Sequence, residues 1–266
     1  MTPMWLAAYA LGGALVGVFA GMLGVGGGMT IVPVFAIMFA AQGFAPNHIV
    51  HLSLATAMAS IIFTSAASVR EHHKRKAVDW SVVVRMAPGM LVGTLGATLV
   101  SGWVPQRLLA LCFAVIVFGA GIQIGLNRKP KAARTLPGPL PMFFVGLFIG
   151  IVAGLVSAGG AFLSMPFMVL CGVPVIVAIG TGAALSVPVA IMGSIGYIIS
   201  GWNAEGLPPH SLGFIYLPAL IAMVCTSMLT APFGARLAHR LPVQILRRCF
   251  AVLLFVLAAR MLWSYW

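Results

Sequence analysis

The chain is a succession of long apolar stretches separated by short polar or basic breaks. A helix that crosses a bilayer needs about 20 mainly apolar residues. On that rule the first half holds candidate helices at Met4–Leu23, Met29–Ala41, His48–Val69, Trp80–Ser101 and Arg107–Leu126. The second half holds them at Pro141–Val156, Ala161–Leu170, Pro174–Ser200, Leu212–Ala238 and Val243–Tyr265. The pieces starting at Met29 and Ala161 are short. They suit half-helices or re-entrant segments better than full spans, and the apolar pattern leaves open whether they cross.

Each short piece follows a glycine-rich break inside apolar sequence. The first reads Gly21-Met22-Leu23-Gly24-Val25-Gly26-Gly27-Gly28, with Pro33 beyond it. The second reads Gly154-Leu155-Val156-Ser157-Ala158-Gly159-Gly160-Ala161, with Pro166 beyond it. The offset is constant, since 154 − 21, 160 − 27 and 166 − 33 all equal 133. Later matches drift: Thr56 with Thr181 is offset by 125, and Cys112 with Cys249 by 137. The chain therefore divides into repeats at residues 1–127 and 140–266, joined by a basic linker at 128–139. Interrupted helices at corresponding places of two halves point to a transporter's binding site.

Composition fixes the environment. Hydrophobic residues make up 61% of the chain and charged residues 7%, against about a quarter charged in a soluble domain. The surface must face lipid. The net charge of +12 does not signal nucleic acid, because 12 of the 15 Lys and Arg lie in three short clusters. These are Arg70–Lys76, Arg128–Arg134 and Arg236–Arg248, short basic loops of the kind kept in the cytoplasm. The loop at 201–206 carries no Lys or Arg and is expected outside. The first half then runs from outside to inside and the second from inside to outside. The expected fold is an all-α polytopic membrane protein of two inverted repeats. Each repeat pairs a Gly-rich broken or re-entrant helix pair with three spanning helices, 8–10 helical segments in all.

The glycine breaks can do chemistry. Glycine lets main chain approach a ligand closely, and a helix that begins there presents unpaired N–H groups and a positive dipole end. Three acidic residues, Glu71, Asp79 and Glu205, lie in or beside loops. A site of Gly26, Gly27 and Gly28 from one half with Ser157, Gly159 and Gly160 from the other is neutral and rich in donors. Thr56 and Thr181 supply hydroxyls, with Ser60 and Ser186 about one turn further on and facing the same way. Such a site favours a small anion over a metal ion or a proton, which call for carboxylates. No metal or cofactor is expected, and no GxxxxGK[ST] nucleotide loop occurs.

The remaining polar residues read as structural. Gly93 and Gly96 are expected to pack helices closely, and Arg85 to snorkel to the interface. His48 and His51 lie one turn apart, a weak metal signal, and are read as interfacial. The four cysteines stand singly in apolar sequence, without a CxxC pair, and are expected to be small buried apolar residues. Trp103, Trp202, Trp263 and Trp266 fall near segment ends, as an aromatic belt requires.

Gly21-x-x-Gly24-x-Gly26-Gly27-Gly28 with Pro33, and Thr56 in its small-residue run, resembles the sulfite exporter TauE/SafE family, the TSUP permeases. Gly180-Thr181-Gly182-Ala183-Ala184 with Pro188 and Gly196-Tyr197 extends the resemblance, as does Val78-Asp79-Trp80. It implies a multi-pass secondary transporter of the cell (inner or plasma) membrane, carrying a small sulfur-containing anion such as sulfite or an organosulfonate. Alternating access would centre on the two glycine turns. The partners expected are that anion and the lipid bilayer, not nucleic acid. A homodimer stays an open alternative, as do a channel-like pore, a scaffold subunit and an intramembrane enzyme. The last would need a base paired with its nucleophile.

Overall fold

A computed structural model of the chain describes residues 3–23, 28–125 and 136–238, with positions 252, 255, 256 and 259. Nine helices are described: α1 (Pro3–Leu23), α2 (Gly28–Ala41), α3 (Ile49–Lys74), α4 (Trp80–Ser101), α5 (Gln106–Gly125), α6 (Pro139–Val156), α7 (Ala161–Leu170), α8 (Val175–Ser200) and α9 (Leu217–Ala238). A 3-10 turn at Pro46–His48 leads into α3. The expected helix at Val243–Tyr265, the Arg128–Arg134 cluster, Cys249, Trp263 and Trp266 lie outside the described residues, apart from those four helical positions.

The apolar pattern locates α4 and α7 to the residue and the other helices to within a few positions. Two differences have physical causes. Helix α3 continues past Val69 to Lys74 because its last turns leave the apolar zone as a polar helix. There Arg75 pairs with Glu71 at 2.8 Å, and His72, His73 and Lys74 lie at the helix's negative end. Helix α9 begins at Leu217 rather than Leu212. Residues before it form a hairpin of β1 (Ser211–Leu212) and β2 (Ile215–Tyr216), with Ser211 opposite Tyr216. Gly213, at φ +54, makes the turn and lies against the backbone of Ile198, where a Cβ has no room.

Among the described residues four helices are long and apolar enough to cross a membrane: α3 with its leading turn, α4, α6 and α8. Of these, α3 and α8 are the most enclosed, and they pack on each other. The other main pairings come in matched sets. Helix α1 packs along α9 as α6 packs along α4, α2 on α3 as α7 on α8, and α3 on α9 as α8 on α4. The close pairs are built alike. A Cβ on Gly13 or Gly17 would strike the backbone of Met223 or Ser227. One on Gly146 or Gly150 would strike that of Met86 or Met90. These glycines are again 133 apart, and they allow backbones to touch without help from side chains.

Gly93 behaves as expected, since a Cβ there would meet the Leu147 carbonyl. Gly96 does not, for nothing lies within 4 Å of its would-be Cβ. Its side of α4 faces outward, so the close-packing reading of Gly96 is withdrawn. The cysteines also differ from expectation: Cys171 is buried, but Cys112 is half-buried and Cys225 exposed on the outer face of α9. Arg85, Trp103 and Trp202 are exposed.

Candidate functional site at the broken helices

Helix α6 ends at Val156 because Ser157 turns left-handed, at φ 50 and ψ 38. Gly159 follows at φ +70, a conformation only glycine adopts without strain. Helix α7 then starts at Ala161. At ten residues it is about 15 Å long, half the thickness of the apolar bilayer core. The equivalent turn of the first half, with Gly26 and Gly27, lies outside the described residues. Gly28, the first residue of α2, is described.

The turns meet. A Cβ on Gly28 would touch the Ser157 carbonyl oxygen at 2.5 Å and Ile61 Cδ1 at 2.7 Å. The other branch of Ile61 lies 3.4 Å from the corresponding point on Gly159, with Ser186 Oγ at 3.3 Å. Gly160 adjoins Leu185 of α8 and Met90 of α4. Ile61 therefore lies between Gly28 and Gly159, with Ser157 on Gly28 and Ser186 beside Gly159, and all five are buried. No charged residue is among them.

Ser186 has a defined task. Its Oγ accepts the Ala161 N–H at 2.8 Å and donates to Gly182 O at 3.0 Å. The hydroxyl caps α7 from a neighbouring helix, so the first donor of α7 already has a partner. By the offset of 125 that links Thr56 to Thr181, the counterpart of Ser186 is Ile61, not Ser60. Ser60 turns its hydroxyl back to Thr56 O at 2.9 Å. Both serines donate to the carbonyl four residues back, and the Ser186 hydroxyl also accepts the Ala161 N–H. Ser157 Oγ is buried beside the Tyr197 hydroxyl, which donates to Gly154 O at 2.8 Å.

Thr56 and Thr181, both fully buried, lie about one and a half turns before Ile61 and Ser186. Each reaches the opposite half. Thr181 Oγ1 accepts the N–H of Asp79, the residue before α4, at 2.9 Å. Thr56 Oγ1 accepts the N–H of Tyr216, the residue before α9, at 3.1 Å. Asp79 also caps α4, its Oδ1 accepting from Ser81 and Val82 N–H at 3.0 and 3.3 Å. The Tyr216 ring packs edge-on against Phe39 and Phe44. The sequence motifs did not identify Asp79, Tyr216 or Ile61 as parts of this arrangement. The signal for Asp79 was its place as an acidic cap directly before a helix.

The family model described as Sulfite exporter TauE/SafE matches residues 9–261. A protein of Haemophilus influenzae named "Probable membrane transporter protein" is 32% identical over 250 residues, covering 94% of this chain and 95% of that protein. A similarly named protein of Methanocaldococcus jannaschii is 23% identical over 94% of this chain and 92% of its own length. One of Bacillus subtilis is 23% identical over 88% and 90%. No solved structure matches the chain.

Proposed function

The chain belongs to the sulfite exporter TauE/SafE family of membrane transporters, and on that premise we propose that it is a secondary transporter of a small oxyanion, sulfite or an organosulfonate. The observation that carries this reading is the meeting of Gly28 with the Ser157 carbonyl and of Gly28 and Gly159 with the two branches of Ile61, a buried and neutral place. An anion needs donors rather than a counter-charge when helix N-termini and main-chain N–H groups converge on it. The halves run in opposite senses across the cell membrane, with the Arg70–Lys76 loop in the cytoplasm, as the basic clusters favour. The two threonine bonds, one near each lead-in to α4 and α9, act as the gates of alternating access. Thr56, Thr181, Ser60 and Ser186 contribute hydroxyls when the turns move apart, and Gly26 and Gly27 complete the first turn.

Uptake of labelled sulfite and of labelled methanesulfonate into proteoliposomes tests the proposal. Wild type should carry at least one of them at carrier rates, and Gly28→Val with Gly160→Val should abolish that flux. Unchanged flux in the double variant removes the turns from the mechanism. A current far above carrier turnover makes the protein a channel. In the detergent-purified protein, the transported anion alone among sulfite, thiosulfate, sulfate and methanesulfonate should raise the melting temperature.

A further inference from the structure

His51 lies near the start of α3, at the end of the helix opposite the Arg70–Lys76 cluster, and is 4% exposed. Its Nε2 is 3.0 Å from Ser101 O. A carbonyl only accepts, so Nε2 carries the hydrogen, and in the neutral ring Nδ1 is a bare lone pair. That Nδ1 is buried and has no hydrogen-bond partner. An acceptor shut away from water without a donor is unfavourable, and a proton relieves it.

Burial and the neighbouring His48 oppose a charge on this ring, and several groups around it offset that opposition. Ser101 is the last residue of α4 and its carbonyl belongs to the negative end of that helix. Backbone of Asn47 and Val104 also adjoins the imidazole. The Phe214 ring stacks on it, with centroids 5.0 Å apart and planes 29° apart, a geometry in which an aromatic face attracts a cation. The titratable group facing His51 is His48, whose ring centroid is 6.2 Å away. Gln106 of α5 bonds the adjacent Val50 N–H through Oε1. Arg107 of α5, and Glu205 and His210 of the 201–216 segment, are exposed at the surface. His48 is half-exposed, and its own Nδ1 is buried and unpartnered. It connects His51 to the surface.

We infer that His51 is a proton-binding site, Nδ1 taking a proton from water by way of His48, and that this proton is coupled to the bond between Thr56 and Tyr216. The coupling, unlike the proton binding, rests on the reading of the chain as a carrier. The physical link is short. Phe214 precedes Tyr216 by two residues in the same hairpin, and Thr56 follows His51 by five in the same helix. A charge under Phe214 holds the hairpin against α3, and with it the Tyr216 N–H on Thr56 Oγ1. A proton-coupled carrier without a membrane-buried carboxylate needs such a site.

Histidine-15N spectra of the full chain in bilayers test the binding. His51 should show the Nε2–H tautomer at alkaline pH, and its bare-nitrogen signal should vanish on acidification within about pH 5 to 8. Assignment comes from loss of the signal in His51→Gln and its persistence in His48→Gln. A bare Nδ1 throughout that range overturns the inference. The titration is read on wild type, so a misfolded His51→Gln does not block it; single Gln replacements of the other five histidines then assign His51 by elimination.

Labelled sulfite in proteoliposomes tests the coupling. His51→Gln keeps an N–H for Ser101 O, so exchange at equal pH on both sides should persist. Uptake driven by a pH gradient should fall about tenfold relative to wild type in the same gradient, as loss of an ordinary coupling free energy delivers. Equal uptake by both proteins overturns the coupling. Wild type that exchanges no sulfite overturns the sulfite reading instead, and the spectrum still decides proton binding.

Discussion

The backbone N–H of Asp79 donates to Thr181 Oγ1 across 102 residues of sequence, and the same bond recurs between Tyr216 and Thr56. Each joins a threonine in an enclosed central helix to the residue that opens a helix of the other half. A bond made twice, at matching places, fits two gates that open in turn.

Thr56→Val leaves the buried Tyr216 N–H without a partner and Thr181→Val the part-buried Asp79 N–H, a cost of up to about 1–3 kcal/mol. Both should lower the melting temperature. Beyond that shared loss, the two should bias the carrier toward opposite sides. A cysteine at Ile61, between Gly28 and Gly159, reports this through an impermeant maleimide. It should label from outside in the Thr56→Val background and from the cytoplasmic side in the Thr181→Val background. Labelling from the same side in both would show that the bonds do not act as separate gates.

Helix contacts give a second contrast. Gly150 lies where a Cβ strikes the Met90 backbone, whereas Gly96 faces open space. Gly150→Ala should cost about 1–3 kcal/mol by overpacking α4 against α6. Gly96→Ala should gain about 0.5–1 kcal/mol, because alanine loses less conformational freedom in a helix. Thermal unfolding in one detergent orders the three proteins. Equal stability of the two variants would mean that the α4–α6 backbones can separate without penalty.

The hydroxyl of Ser186 caps α7 from α8. Ser186→Ala should destabilise by about 1 kcal/mol, the usual worth of a helix cap, and Ser186→Thr should restore most of it. Ala161 N–H is then free in the alanine variant. If anion binding at the start of α7 competes with the cap, half-saturating sulfite should fall in Ser186→Ala although the protein is less stable. A rise in both the threonine and the alanine variant would place the serine hydroxyl itself on the anion.

Apolar length made the helices legible, because lipid leaves the backbone few choices besides a helix. The breaks at Gly21–Gly28 and Gly154–Ala161 were legible because consecutive glycines, each run followed by a proline, interrupt apolar sequence twice at one offset. The reciprocal bonds were not. Thr56 and Thr181 could be matched as repeat partners, but their bonds run to main-chain N–H groups, which leave no mark on residue type. The hairpin at 211–216 was read as helix, since Leu212, Phe214 and Ile215 suit either state and the deciding fact is Gly213 lying on Ile198. His51 was read as interfacial for a similar reason: its burial comes from Phe214, over 160 residues away in sequence.

The turn itself offers the sharpest separation of stability from transport. Ser157 holds a left-handed conformation that costs a non-glycine residue about 1–2 kcal/mol. Ser157→Gly should therefore stabilise the protein while loosening the end of α6. Gly159→Ala does the reverse. It strains a residue at φ +70 and sets a methyl against Ser186 Oγ and Ile61 Cγ2 at 3.3 and 3.4 Å. If the turns part to admit the anion, Gly159→Ala should slow exchange of labelled sulfite more than its loss of stability explains. Ser157→Gly should leave exchange intact or faster at a higher melting temperature. If the turn is only a rigid joint, exchange follows the folded fraction in both variants, and the two rates coincide once scaled to folded protein.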